Sequence, residues 1–129
     1  MTEDIDVIYS RDRANVKRLA TALSALDARL RGAPPGLPFK PDPPTLRNGL
    51  NFTFETRLGP LDCLGEAAGG FSYDNLVRNA ELYPIEGLEI PTASLDDLIR
   101  MKRAAGRIKD RIEVENLSAL REVRDQRGR

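Results

Sequence analysis

Histidine and tryptophan are absent from this 129-residue chain, and cysteine occurs once, as Cys63. Without imidazole there is no Ser-His-Asp or Cys-His catalysis, no His-based zinc site and no histidine acid/base chemistry. A single cysteine leaves no partner for an intrachain disulfide and gives no sign of an oxidising compartment. No apolar run approaches the roughly 20 residues that a membrane-spanning helix needs. The acidic start, TEDID, is unlike a signal peptide. The expectation is a cytoplasmic protein with no membrane partner. Net charge is also lacking: 20 basic residues balance 20 acidic ones, which argues neither for nor against nucleic acid. What remains for chemistry is Asp, Glu, Lys, Arg and Tyr. Any metal would be held through oxygen, which favours Mg²⁺ or Mn²⁺.

The length and a hydrophobic content of 40% predict one soluble globular domain over residues 1–129. Ile5 to Tyr9 (IDVIY) is β-branched and aromatic, and reads as a central strand. Asp12-Arg13 opens a helix in which Val16, Leu19, Ala20, Leu23, Leu26 and Leu30 recur at helical spacing, with Gly32 as its end. GAPPGLPFKPDPP contains six of the nine prolines and reads as an irregular loop. Phe52, Phe54 and Thr56 alternate with polar residues. A turn at Leu58-Gly59-Pro60 then leads into Leu61-Asp62-Cys63-Leu64, which predicts a hairpin. Tyr73 to Ala80 suggests a short helix, and LYPIEGLEIPTA two short strands about Glu86-Gly87. Ser94-Leu95-Asp96-Asp97 has the spacing of a capping box, and the helix it opens ends at Gly106. A last helix is expected from Lys109 to Val123.

Three aspartates lie among apolar strand residues: Asp4, Asp6 and Asp62. Strand periodicity puts Asp4 and Asp6 on one face, and Asp62 joins them if the hairpin strand lies beside the first strand. Carboxylates converging in this way repel each other unless a divalent cation neutralises them. Such a cluster suits metal-assisted phosphoryl or nucleotidyl transfer, in which two ions about 4 Å apart clamp the attacking and leaving oxygens. The competing reading is plainer: Asp4 is a solvated terminal residue and Asp62 an exposed hairpin residue.

T-E-D-I-D-V-I-Y, a helix, a strand carrying L-D-C-L, and then S-L-D-D-L-I-R-M-K-R-A-A-G-R-I-K-D together resemble the nucleotidyltransferase superfamily. The resemblance is to its small bacterial, toxin-type members. It implies an α/β (α+β) fold, a mixed sheet flanked by helices. It also implies transfer of a nucleoside monophosphate from an NTP to an acceptor hydroxyl on a protein, a tRNA end or a small molecule. On that resemblance Asp4, Asp6 and Asp62 are the catalytic Mg²⁺ (or Mn²⁺) ligands. Lys102 and Lys109 face the triphosphate, and Asp110 orients one of them. For the neighbouring Arg103, Arg107 and Arg111 a solvated face complementing a helix C-terminus is preferred. Lys109-Asp110 can equally be the mere beginning of the last helix.

The family carries a Gly-Gly or Gly-Ser turn upstream of its Asp-x-Asp pair, on a helix-plus-strand unit that helps to hold the nucleotide phosphates. Only three residues precede Asp4 here, and Gly69-Gly70 lies downstream. The chain is therefore expected to be N-terminally truncated and not an active monomer, with a second copy or a partner chain completing the sheet. The rival expectation is a non-catalytic binding or assembly module that keeps the fold.

Overall fold

Ile5-Asp6-Val7-Ile8 forms β1 (Ile5–Ile8), and its β-branched residues build a short parallel ladder with β4 (Gly59–Leu64). The structure, a computed structural model, describes residues 5–34 and 36–127, except the side chains of residues 108 and 109. It is mixed α/β, with a four-stranded mixed sheet, a two-stranded sheet and five helices among the described residues. Its internal contacts divide it into two compact units, Met1–Glu66 and Ala67–Arg129.

In the first unit the strand order is β1-β4-β3-β2, with β3 at Asn51–Thr56 and β2 at Arg29–Leu30. The expected hairpin is β3–β4, joined antiparallel from Thr56↔Gly59 to Asn51↔Leu64, but its turn is Arg57-Leu58. Gly59 and Pro60, expected in the turn, already pair with Thr56 and Glu55 as the first residues of β4. β1 was expected at the centre of the sheet. Among the described strands it lies at an edge, with β4 as its neighbour and Ile5 64% exposed.

Helix α1 (Arg13–Ala25) begins as its sequence predicts, with the Asp12 carboxylate accepting the Asn15 N–H. Its periodic residues Val16, Ala20 and Leu23 are buried. It does not reach Gly32. The N–H of Leu26 turns back to the carbonyls of Ala22 and Leu23, and Asp27 takes a left-handed backbone (φ 53°), which ends the helix. Leu30 therefore leaves the helical stripe and pairs with Phe54 in the sheet.

The proline-rich stretch is not wholly irregular. Its end starts α2 (Pro43–Asn48), capped by the Asp42 carboxylate, which accepts the Thr45 N–H at 3.0 Å. Pro43 and Pro44 occupy first-turn positions, where a missing N–H costs nothing because no intrahelical acceptor exists. Arg11 closes the other end of α2. Its guanidinium donates to the carbonyls of Arg47 at 2.9 Å and Gly49 at 2.8 Å, and to the Tyr9 hydroxyl at 2.9 Å. Tyr9 in turn donates to the Leu50 carbonyl at 2.7 Å.

Both helices pack on the face of the sheet that carries Val7, Cys63 and Phe54. Phe54 is fully buried, stacked on Phe52 with ring centroids 5.7 Å apart and tilted against Phe39 at 6.0 Å. Burying each such ring contributes about 2–3 kcal/mol.

The second unit holds α3 (Tyr73–Val77), β5 (Glu81–Ile85), β6 (Leu88–Thr92), α4 (Leu95–Ala105) and α5 (Ile108–Arg127). The β5–β6 hairpin turns at Glu86-Gly87 as expected, and both residues take a positive φ, which Gly87 adopts freely and Glu86 against its ordinary preference. Ser94 caps α4 by accepting the Asp97 N–H, and Gly106 ends it with a left-handed backbone. Asp97 is buried and satisfied by Arg100 at 3.0 Å and Asn79 at 3.4 Å. Arg121 and Arg124 of α5 pair with Asp96 and Glu81, each at 2.8 Å. No helix is long and apolar enough to cross a membrane among the described residues.

Arg11→Met is expected to lower unfolding free energy by about 1–2 kcal/mol in urea denaturation, because carbonyls at the end of α2 lose a charged donor. A change near zero would show that water replaces the guanidinium without loss.

Candidate carboxylate site on the sheet

Side chains alternate across a sheet, so the register fixes which residues share a face. Asp6 is the partner of Asp62 in the parallel β1–β4 ladder, and Asp62 is the partner of Thr53 in β3. All three lie on the face opposite Val7, Cys63 and Phe54. Adjacent strands are about 4.8 Å apart, so the two aspartates are cross-strand neighbours on that face. The sequence expectation that Asp62 joins the first-strand aspartate is met for Asp6. Asp4 lies outside the described residues.

A cation completes the row. The backbone N–H of Arg31, the residue after β2, donates to the Thr53 carbonyl at 2.9 Å and extends the ladder by one residue. Its guanidinium reaches over Thr53: Nη2 donates to Asp62 Oδ1 at 2.9 Å and to the Phe54 carbonyl at 3.0 Å. Nε donates to Glu55 Oε1 at 3.2 Å. The pair is partly screened from solvent, with side-chain exposures of 32% for Arg31 and 21% for Asp62. Asp62 is thus an ion-paired sheet residue and not a free hairpin carboxylate. Among the described residues, no three acidic, cysteine or histidine side chains converge as a ready-made metal cluster.

Arg31 and Glu55 were not singled out from sequence. Glu55 had a signal, since it alternates with Phe54 and so shares the Asp62 face. Arg31 had none while residues up to Gly32 read as helix. Cys63, on the other face, has its thiol pushed up to about 11 by burial and secondarily by Asp62, so it stays neutral and unreactive.

In the second unit Asp110 is fully buried at the start of α5. It accepts from Arg107 Nε at 2.6 Å, from Nη2 at 3.2 Å and from the Arg107 backbone N–H at 3.3 Å. Lys102 Nζ lies 3.8 Å from Asp110 and 2.8 Å from Glu113. The side chain of Lys109 lies outside the described residues. Asp110 therefore binds Arg107 most closely, as an acid in the first turn of a helix, and Lys102 is held chiefly by Glu113.

Comparison of the chain with protein-family profiles, curated proteins and solved structures returned no match. The nucleotidyltransferase resemblance accordingly rests on the sequence motifs alone.

The hydrogen bond from Arg107 holds the Asp110 carboxyl below its ordinary value of 3.8, against the opposing effect of burial. A lowered folded-state value means stability that is present above the unfolded value and lost as pH falls through the folded one. The melting temperature of Asp110→Asn is therefore expected to lie below wild type at neutral pH. The gap should narrow as pH falls below about 4, where the unfolded carboxyl takes up its proton. A gap that stays constant in thermal melts down to about pH 2, roughly two units below that onset, would rule out the ion pair as its cause.

Proposed function

We propose that this chain is a nucleotidyltransferase-like protein whose cation site is built on Asp6 and Asp62. The observation that carries the reading is the β1–β4 register, which sets these two carboxylates side by side on one face. Mg²⁺ is commonly held by only one or two carboxylates, with substrate phosphates and water filling its other positions. Two adjacent hard-oxygen donors fit that requirement, and Asp4 is the third ligand that the resemblance assigns. When bound, the cation supplies polarisation of phosphoryl oxygens and neutralisation of charge on the leaving pyrophosphate.

The protein's part is to hold that charge in place and to take a proton. One aspartate accepts the proton of the acceptor hydroxyl as its oxygen bonds to the α-phosphorus of the NTP and pyrophosphate leaves. Lys102 and Asp110 have partners of their own within the second unit, and neither is needed for the carboxylate pair.

One observation favours the rival, a non-catalytic binding or assembly module with the same fold. Arg31 already balances the charge of Asp62, so the sheet face holds together without a metal ion.

Calorimetric titration separates the two readings. The nucleotidyltransferase reading expects wild type to bind Mn²⁺, and MgATP or MgCTP in its presence. Asp62→Ala should bind the cation at least about tenfold more weakly, a loss typical of removing one charged ligand. Equal binding by both proteins would exclude the Asp6–Asp62 site, and no nucleotide binding by either would favour the assembly module.

A further inference from the structure

Arg31 sits at the end of a row that crosses the sheet in the order Asp6, Asp62, Thr53, Arg31. We infer that Arg31 is the resident counter-cation of Asp62, and that its charge sets the affinity of the carboxylate pair for a divalent ion. The inference rests on the carboxylate-site reading above and assigns the regulation of that site.

Three features of the geometry carry it. First, the guanidinium is anchored by groups outside the pair, the Phe54 carbonyl and Glu55. It therefore stays beside Asp62 whether or not an ion is bound. Second, it engages one oxygen of Asp62, Oδ1. Oδ2 has no hydrogen-bond donor among the described residues, so a cation can bind there without displacing Arg31. Third, Glu55 shares the guanidinium with Asp62, at 3.2 Å against 2.9 Å. Part of the positive charge is thus spent on a second acid of the same face.

The sign of the effect follows from Coulomb's law. A fixed positive charge beside Asp62 opposes the approach of a divalent cation while relieving repulsion between Asp62 and Asp6 in its absence. Arg31 thereby trades ion affinity for stability of the ion-free sheet. Glu55 moderates the trade by drawing off part of the charge.

Mn²⁺ titration of three variants tests this. Arg31→Gln keeps hydrogen-bond donors but loses the charge, and should bind Mn²⁺ on the order of tenfold more tightly than wild type. In EDTA it should melt at a lower temperature, and Mn²⁺ should raise its melting temperature by more than it raises that of wild type. Arg31→Lys keeps the charge and should stay within about threefold of wild type. Glu55→Gln, at a more exposed position, leaves Arg31 less compensated and should bind Mn²⁺ about threefold more weakly. A structural brace alone would lower stability without tightening Mn²⁺ binding. If wild type binds Mn²⁺ while Arg31→Gln binds it equally or more weakly, or Glu55→Gln does not weaken it, the counter-cation role is overturned and the carboxylate site stands. If neither wild type nor any variant binds Mn²⁺, both readings fall together.

Discussion

The parallel pairing of β1 with β4 is the constraint on which the first unit depends. Parallel strands cannot be joined by a tight turn, so the chain between them has to cross over the sheet. α1 makes that crossing and α2 joins it on the same side, and their apolar residues meet Val7, Cys63 and Phe54 there. The opposite face carries the polar residues Asp6, Asp62, Thr53 and Glu55, together with Ile8 and Leu64 at the far end of the β1–β4 ladder. Asp6 and Asp62 alternate with apolar neighbours for this reason: one set of side chains looks into the core and the other away from it. The register then brings the two carboxylates together without any loop having to be ordered around them.

Charge on that face is balanced locally. Two aspartates on adjacent strands are an electrostatic cost in any state in which nothing neutralises them. Arg31 reduces the cost by reaching across one strand, and its own orientation is fixed by a main-chain carbonyl and a second acid. The second unit solves a similar problem differently. There Asp97 and Asp110, both buried, are met by arginines three residues away on the same stretch of chain, so each acid is compensated by local sequence.

This contrast explains what the sequence disclosed. Features governed by near neighbours were legible: the Asp12 and Ser94 caps, the Glu86-Gly87 turn, the β3–β4 hairpin and the end of α4 at Gly106. Each is set by a few adjacent residues and needs no distant partner, even where, as at Glu86, the backbone conformation is one that the residue rarely adopts. Features set by distant partners were not. The helical spacing of Leu26 and Leu30 is genuine, but the turn at Asp27 and the pairing of Leu30 with Phe54 override it. α2 was hidden because prolines read as breakers unless their place in the first turn is known. At the candidate site, the meeting of Asp6 with Asp62 was legible from alternation plus a guess about strand order. Arg31 was not, since its role exists only once β2 is a strand.

The β5–β6 hairpin forms a two-stranded sheet of its own and exposes Leu82, Tyr83, Ile85, Leu88 and Ile90, a composition that invites intermolecular strand pairing. Its prolines act against this. The pair flanking the two-residue turn, Ile85 and Leu88, bonds inward, so the next pair, Pro84 and Glu89, presents its backbone outward. The alternation repeats, and Leu82 and Pro91 face outward again. Each rim therefore has a proline where an amide would have offered itself to an incoming strand. The hairpin keeps its internal ladder intact and withholds one of the two outward positions on each rim from an incoming strand, leaving Leu82 and Glu89 as the remaining outward donors.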